Sequence, residues 1–466
     1  MRRRDFLALP ALAAAARAAA PSRPNIVILL ADDLGTADLG WCGGEIETPN
    51  LDRLARQGLR FSQFYAYPVC SPTRAGLLTG RSPMRLGLGY TVIRPWSSCA
   101  VPAAEHFMPQ TFRAAGYQTA ICGKWHLGHT RASHLPNARG FDHAYGHLNG
   151  AIDYYTHERE GGLDWNRNGR SLREEGYSTD LLAAEAVAFI RNRDRNRPFF
   201  LYTPFNAPHA PLQAPQALIG KYAKIVDPKR RHYAAMVDAL DTAAGRILAA
   251  LDEQRVADRT IVLFLSDNGG PVNQGAMNRF RGAKASTWEG GIRVPAVLRW
   301  PGVVRPRETA QVATVLDVFP TLAAMAGIPR RNRLPLDGKD LWEQLRMERI
   351  EPREDLFFAV EDSPGSPRYA VRRQDWKLVR EVRGGTVRDA LFRLDTDPRE
   401  KRDVAAANSA LAAELAAALE RWTALAPPGT VRFTGTAPAG WTAPKLWAEA
   451  ARPNTGRRRP RAAPTG

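Results

Sequence analysis

Cysteine is scarce. Cys42, Cys70, Cys99 and Cys122 are the four in 466 residues. Four cannot staple a fold of this size, so a disulfide-built scaffold is excluded and a hydrophobic core is required. If Cys70 is chemically altered, three remain and at most one disulfide forms. Cys122 lies in the apolar run Thr119-Ala-Ile-Cys122 and reads as a buried free thiol. No run of 18 apolar residues occurs, which excludes an ordinary membrane-spanning helix. No internal repeat is visible, which speaks against a solenoid or propeller. Lysine is also rare, with nine against 56 arginines.

What is present suits a soluble globular protein: 44% hydrophobic and 24% charged residues, in a chain long enough for one large domain and a smaller one. The net charge is +18; residues 1–20 supply +3 and residues 451–466 supply +5, leaving +10 for the body. That balance favours a polyanionic partner, a sulfated glycan or nucleic acid. A GC-rich genome also produces Arg, Ala and Pro in excess, so charge alone assigns no partner.

The start, Met1-Arg-Arg-Arg-Asp-Phe-Leu7 followed by an Ala-rich apolar run to Ala20, reads as an export signal of the twin-arginine type, cleaved near Ala18 or Ala20. An uncleaved N-terminal helix or anchor is the alternative. The expected location is periplasmic or secreted, in a bacterium.

Asn25-Ile-Val-Ile-Leu-Leu30 is apolar without alternation, the mark of a strand covered on both faces. Helices are predicted over 48–58, 107–116, 177–193 and 233–254, with strands over 118–122, 199–203 and 260–265. The alternation predicts an α/β doubly wound sheet over residues 21–345. After about 345, short strands near Tyr369, Trp376 and Leu391 and an Ala-rich helix from Ser409 to Trp422 predict an α+β subdomain over 346–450: an antiparallel sheet with a helix. Residues 451–466 are Arg/Pro-rich and read as a disordered tail.

Polar residues gather after the predicted strands: Asp32 and Asp33, Lys124 and His126, His209, and Asp267 with Asn268. Sites collect outside the carboxyl ends of such strands. Cys70-Ser-Pro-Thr-Arg74, continuing to Thr79-Gly-Arg81, places Cys70 at a helix N-terminus, where free N–H groups and the dipole favour an anion. Arg74, one turn on, adds a fixed charge and a planar donor fork. Asp32-Asp33 and Ser266-Asp-Asn-Gly-Gly270 are each ambiguous alone, with turns or caps as the bland reading. Together they offer the hard oxygen ligands that Ca²⁺ takes. Lys124 and His126, two apart in Gly123-Lys-Trp-His-Leu-Gly128, are predicted on one side of an extended segment.

The twelve residues 70–81 resemble the signature of the type I sulfatases. The resemblance covers residues 24 to 425 and implies an alkaline-phosphatase-like fold: a mixed or parallel sheet between helices. It implies oxidation of Cys70 to formylglycine by a dedicated generating enzyme, and one Ca²⁺ on Asp32, Asp33, Asp267, Asn268 and residue 70. It gives Lys124 and Lys284 sulfate-binding roles, Lys284 within Arg281-Gly-Ala-Lys284. His126 becomes the base that expels sulfate, and His209 the group facing the leaving oxygen. Ile93-Arg-Pro-Trp96 and Gly140 to Glu158 resemble the arylsulfatase B branch, which implies a sulfated sugar such as N-acetylgalactosamine 4-sulfate. Neither nucleic acid nor a transmembrane segment is expected. The rivals are a phosphonate monoester or phosphodiester hydrolase of the same superfamily and a silent glycan-binding relative.

Overall fold

The computed structural model describes residues 23–272, 279–329 and 334–453. The predicted leader and most of the basic tail lie outside the described residues.

The run Asn25–Ala31 forms a fully buried strand inside a ten-stranded mixed sheet. Thr260–Ser266 pairs parallel on one side of it and Phe199–Pro204 parallel on the other. Gln118–Lys124 and then His143–His147 continue the parallel set. Ile26, Ile28 and Leu30 enter one core cluster, and Val27 and Leu29 enter the other. Both faces are apolar because both are covered, which is why the sequence shows no alternation. Beyond the parallel strands, Ala296–Arg299 and Asn166–Arg167 pair antiparallel, so the sheet is mixed.

Ser178–Asn192 and Pro228–Glu253 cover one face through Leu182, Ala186, Leu240 and Ile247. Cys70–Thr79, Met108–Ala114 and Val315–Met325 cover the other. Most predicted boundaries shift by one or two residues. The helix predicted from Tyr233 begins at Pro228 instead: Asp227 caps it by accepting from the Lys229 N–H at 2.9 Å, and Pro228 suits the first turn.

The C-terminal unit is a four-stranded antiparallel sheet, Leu356–Glu361, Pro367–Arg373, Trp376–Arg383 and Thr386–Arg393, covered by the helix Ser409–Thr423. Its first strand, Leu356–Glu361, was not among those predicted. Leu378, Leu391, Leu415 and Trp422 form its core. After that helix the chain runs back over the first unit, where Leu446 bridges to Leu163 and Arg452 to Arg131. Cys42, Cys99 and Cys122 are free thiols, and Cys122 is buried in its strand as expected. No helix among the described residues is long and apolar enough to cross a membrane.

A buried ion cluster joins the two units. Lys377 Nζ lies 3.0 Å from Glu289 and 2.8 Å from Glu400, with all three side chains inaccessible to solvent. Tyr65 donates to Glu289 at 2.8 Å. Removing one member strands buried charge. Lys377→Met is therefore expected to lower unfolding free energy by about 3–5 kcal/mol, read from urea denaturation; a change within experimental error would contradict the cluster's structural role.

Candidate active site

The sheet order sets the site. Three adjacent strands, Thr260–Ser266, Asn25–Ala31 and Phe199–Pro204, and then Gln118–Lys124, end on one edge. As Asn25–Ala31 ends, the Asp32 N–H donates to the Ala207 carbonyl at 3.1 Å. Asp33 then turns left-handed, φ 67°, a conformation Asp tolerates better than most residues. Its N–H donates to Asp267 Oδ1 at 3.2 Å, and the next N–H, from Leu34, to Ser266 Oγ at 3.0 Å. The neighbouring strand end thus sets the turn.

Cys70 opens a helix whose ten residues are all buried. Ser71 ties that helix start to two other segments: its hydroxyl donates to the His126 carbonyl at 3.0 Å and accepts from the Ile93 N–H at 3.1 Å. Arg74 is fully enclosed. Its Nε and Nη2 reach Asp267 Oδ2 at 3.0 and 2.8 Å, and its Nη1 donates to the Lys124 carbonyl at 2.9 Å. Lys124 Nζ donates to Asp32 at 2.6 Å, and Lys284 Nζ to Asp33 at 2.7 Å. Cys70 Sγ lies 3.4 Å from Asp32 Oδ1, and His209 Nε2 lies 3.7 Å from Asp33 Oδ2.

Every residue singled out from the sequence reaches this cluster or the cavity above it. One premise is corrected: His126 does not share an extended segment with Lys124. The strand ends at Lys124 and His126 is left-handed, φ 59°. What places the ring is a hydrogen bond from Nε2 to the Ile93 carbonyl at 2.9 Å and the close approach of Gly150. A Cβ on Gly150 would lie 2.4 Å from His126 Cε1. The Nε2–H donation leaves Nδ1 as an unprotonated, buried atom with no partner among the described residues. Burial, then Lys124 and Arg74, hold the ring well below its usual protonation range, so Nδ1 is a free base at neutral pH.

Burial also pushes the Cys70 thiol far up, helped by Asp267 and Asp32. An unmodified Cys70 is a neutral thiol here and a poor nucleophile. Asp267 is pushed up to about 6 by burial and by Asp32. Burial acts on Asp33 too, but the charge of Lys284 and hydrogen bonds from Asn268 and Lys284 outweigh it and hold that carboxyl below its usual range. Burial and then Lys284 keep His209 neutral.

The donor set fits a hard cation. Asp32, Asp33, Cys70 and His209 offer atoms all within 4.8 Å of one another. His209 was not read as part of that group, whereas Asp267 was; here Asp267 turns to Arg74. Asn268 donates through Nδ2 to Asp33 at 2.8 Å, and its Oδ1 is buried without a donor. Such an oxygen is what a calcium ion would use. Charge points the same way: three carboxylates face Arg74, Lys124 and Lys284, so the cluster is near neutral and an entering anion needs further positive charge.

A cavity of about 210 Å³ lies over Cys70, His126, His209 and Lys284. Arg94, Arg159, Glu361, Asp362 and Phe433 complete its walls, the last three contributed by residues beyond 345. These five, with Ser71 and Gly150, were not picked out as site residues. Ser71, Arg94 and Gly150 fall inside stretches quoted from the sequence without a role assigned to them, and Arg159, Glu361, Asp362 and Phe433 meet the site through tertiary packing. A larger cleft of about 660 Å³ between the two units contains none of the predicted residues.

The profile of the sulfatase family matches residues 24–328. The chain belongs to the sulfatase family. A second profile, N-sulphoglucosamine sulphohydrolase, C-terminal, matches residues 283–424. Arylsulfatase J of Mus musculus is 35% identical over 354 residues, which is 74% of this chain and 59% of that protein. N-acetylgalactosamine-6-sulfatase of Homo sapiens is 37% identical over 366 residues, 73% of this chain and 69% of that protein. This sulfatase-family chain thus spans about three fifths of arylsulfatase J. The crystal structure of Ps i-CgsB in complex with k-i-k-neocarrahexaose superposes with TM-score 0.82 at 33% identity, covering 89% of this chain and 96% of that one. The fold is therefore the alkaline-phosphatase-like α/β architecture of sulfatases, with its antiparallel C-terminal sheet.

Because Gly150 packs on the His126 ring, Gly150→Ala is expected to displace that ring and lower kcat about 100-fold, the scale of a 1 Å misplacement. KM and the circular dichroism spectrum should change little. A variant with an unmoved ring in its crystal structure and normal turnover would contradict this.

Proposed function

We propose that this chain hydrolyses sulfate monoesters of sugars or aryl alcohols, with Cys70 as the precursor of a formylglycine nucleophile and one Ca²⁺ in the site. The observation that carries the reading is the convergence of five sequence-distant segments on Cys70, with fixed cations, a free histidine base and an oxygen-rich cluster. All ten positions that the family resemblance singles out are occupied by the family's residue types, which argues against a silent glycan-binding role.

The hydrated aldehyde supplies at position 70 an oxygen nucleophile that a buried thiol cannot. Asp32, Asp33, residue 70, Asn268 and Asp267 would hold Ca²⁺, which supplies Lewis-acid charge for the sulfate oxygens. Arg74, Lys124 and Lys284 set positive charge where negative charge gathers. His126 Nδ1 takes a proton from the hydroxyl at position 70. Lys284, held as an ammonium beside Asp33, is the group with a proton to give a leaving alcohol, and His209, neutral here, faces the same side of the cavity.

Support for a sugar substrate comes from the names of the relatives: one acts on N-acetylgalactosamine 6-sulfate, and one structure holds a neocarrahexaose. With the arylsulfatase B-like stretch, this favours a sulfated saccharide of the N-acetylgalactosamine type, 4-sulfate included. Cys70 is only 1% exposed, so the generating enzyme would act before folding. With export of the folded chain by the twin-arginine route to the periplasm or medium, conversion would occur in the cytoplasm.

Two measurements test the reading. Matured protein should turn over an aryl sulfate faster than an aryl phosphodiester; the reverse order would make it a phosphodiester or phosphonate hydrolase. By calorimetry, Asn268→Ala should weaken Ca²⁺ binding at least about tenfold; unchanged affinity would remove Asn268 from the metal set.

A further inference from the structure

Arg94 has no role in the chemistry just described, yet it faces the same cavity. Its guanidinium has no hydrogen bond or ion pair among the described residues, and its Nε is buried without an acceptor. What holds it is the Phe433 ring, 5.1 Å from the guanidinium carbon to the ring centroid. Arg159 lines the same wall, and its Nε is likewise buried and unpartnered. Its outer nitrogen Nη2 meets Glu160 at 3.0 Å. Burial and the like charge of Arg159 both weaken proton binding by Arg94, and no carboxylate offsets them.

The acids on that wall are already engaged. Glu361 accepts from the Gly365 and Phe433 N–H groups at 2.9 and 3.3 Å and lies 3.5 Å from Arg432. Asp362 pairs with Arg368. Among the described residues Arg94 has no counter-ion and Arg159 has one only at its outer nitrogen, so the wall they share carries positive charge in excess, which favours an anion. The planar fork of Arg94 suits a carboxylate or a sulfate. Under the proposed function the scissile sulfate is held at residue 70 by Lys124, Lys284 and the Ca²⁺, so the anion facing Arg94 is a different one. At about 210 Å³ the cavity is smaller than the ~300–1,000 Å³ of typical ligand pockets. The second anion therefore belongs to the same sugar or its immediate neighbour.

We propose that Arg94, backed by Arg159, forms a subsite for a second anionic group, carboxylate or sulfate, on the sugar that carries the scissile sulfate or on the sugar next to it. The preferred substrate class is then a doubly charged saccharide, an inference that rests on the sulfatase reading above.

The test compares wild type, Arg94→Gln and Arg94→Lys on four sulfate esters. These are an aryl sulfate with no second charge, a monosulfated disaccharide with a neutral neighbour, its counterpart with a uronate neighbour, and a disulfated sugar. Arg94→Gln should reduce kcat/KM on at least one doubly charged substrate about 10- to 100-fold more than on the aryl sulfate, mainly through KM. Arg94→Lys, which keeps charge but not the fork, should recover part of the loss. The arm that responds identifies the anion as uronate or sulfate. An equal loss on all four substrates, or none, would overturn the proposal. If wild type turns over no sulfate ester, the sulfatase reading falls separately. Arg94 is then judged by calorimetry of the doubly charged saccharides on Cys70→Ala protein. There Arg94→Gln should raise Kd by a similar factor, and an unchanged Kd would overturn the subsite.

Discussion

Asp32, Asp33 and Asp267 sit at the ends of two adjacent parallel strands, where three carboxylates in a dry space would repel one another and resist burial. Arg74, Lys124 and Lys284 reach in from three other segments and cancel them. Each cation is supplied by a different local structure: a helix one turn past Cys70, the end of a strand, and a loop near Ala285, itself left-handed at φ 60°. The folded edge of the sheet depends on that cancellation, because any one of these charges left unpaired costs several kcal/mol. Under the proposed function a further cation would enter this near-neutral cluster and supply the charge that draws in a sulfate.

Topology makes the cancellation possible. The central strand Asn25–Ala31 lies between the late strands Thr260–Ser266 and Phe199–Pro204, so the first and last parts of the domain share one edge. Ser71 then binds the segments of Cys70, Ile93 and His126 into one unit. The C-terminal sheet adds no catalytic side chain. Glu361 and Asp362, at the end of its first strand, help close the cavity, the returning chain adds Phe433, and Lys377 anchors the sheet to Glu289 of the first unit.

Much of this was legible in the sequence. The uninterrupted apolar run at 25–30 and the alternation of later helices and strands gave the doubly wound class, because burial on both faces leaves a direct trace in composition. The polar residues after each strand gave the charged cluster at the sheet edge, because strand ends are where such sites form. Three things were not legible. Asp227-Pro228 as the true helix start needed cap geometry to outweigh the apolar pattern that begins at Tyr233. His126 was placed by strand alternation, but its left-handed backbone and Gly150 decide where the ring goes. Phe433 meets Arg94 and Arg159 only because the chain after residue 423 folds back, a long-range contact with no local signal.

The central claim is that a cysteine held as a neutral thiol in this cluster acts only after conversion. Peptide mass spectrometry at position 70, on fractions of defined specific activity, tests it most directly. The account predicts that sulfate-ester turnover rises in proportion to the fraction of chains carrying formylglycine and vanishes when position 70 is all cysteine. Full turnover in protein whose residue 70 is entirely unmodified cysteine would contradict it.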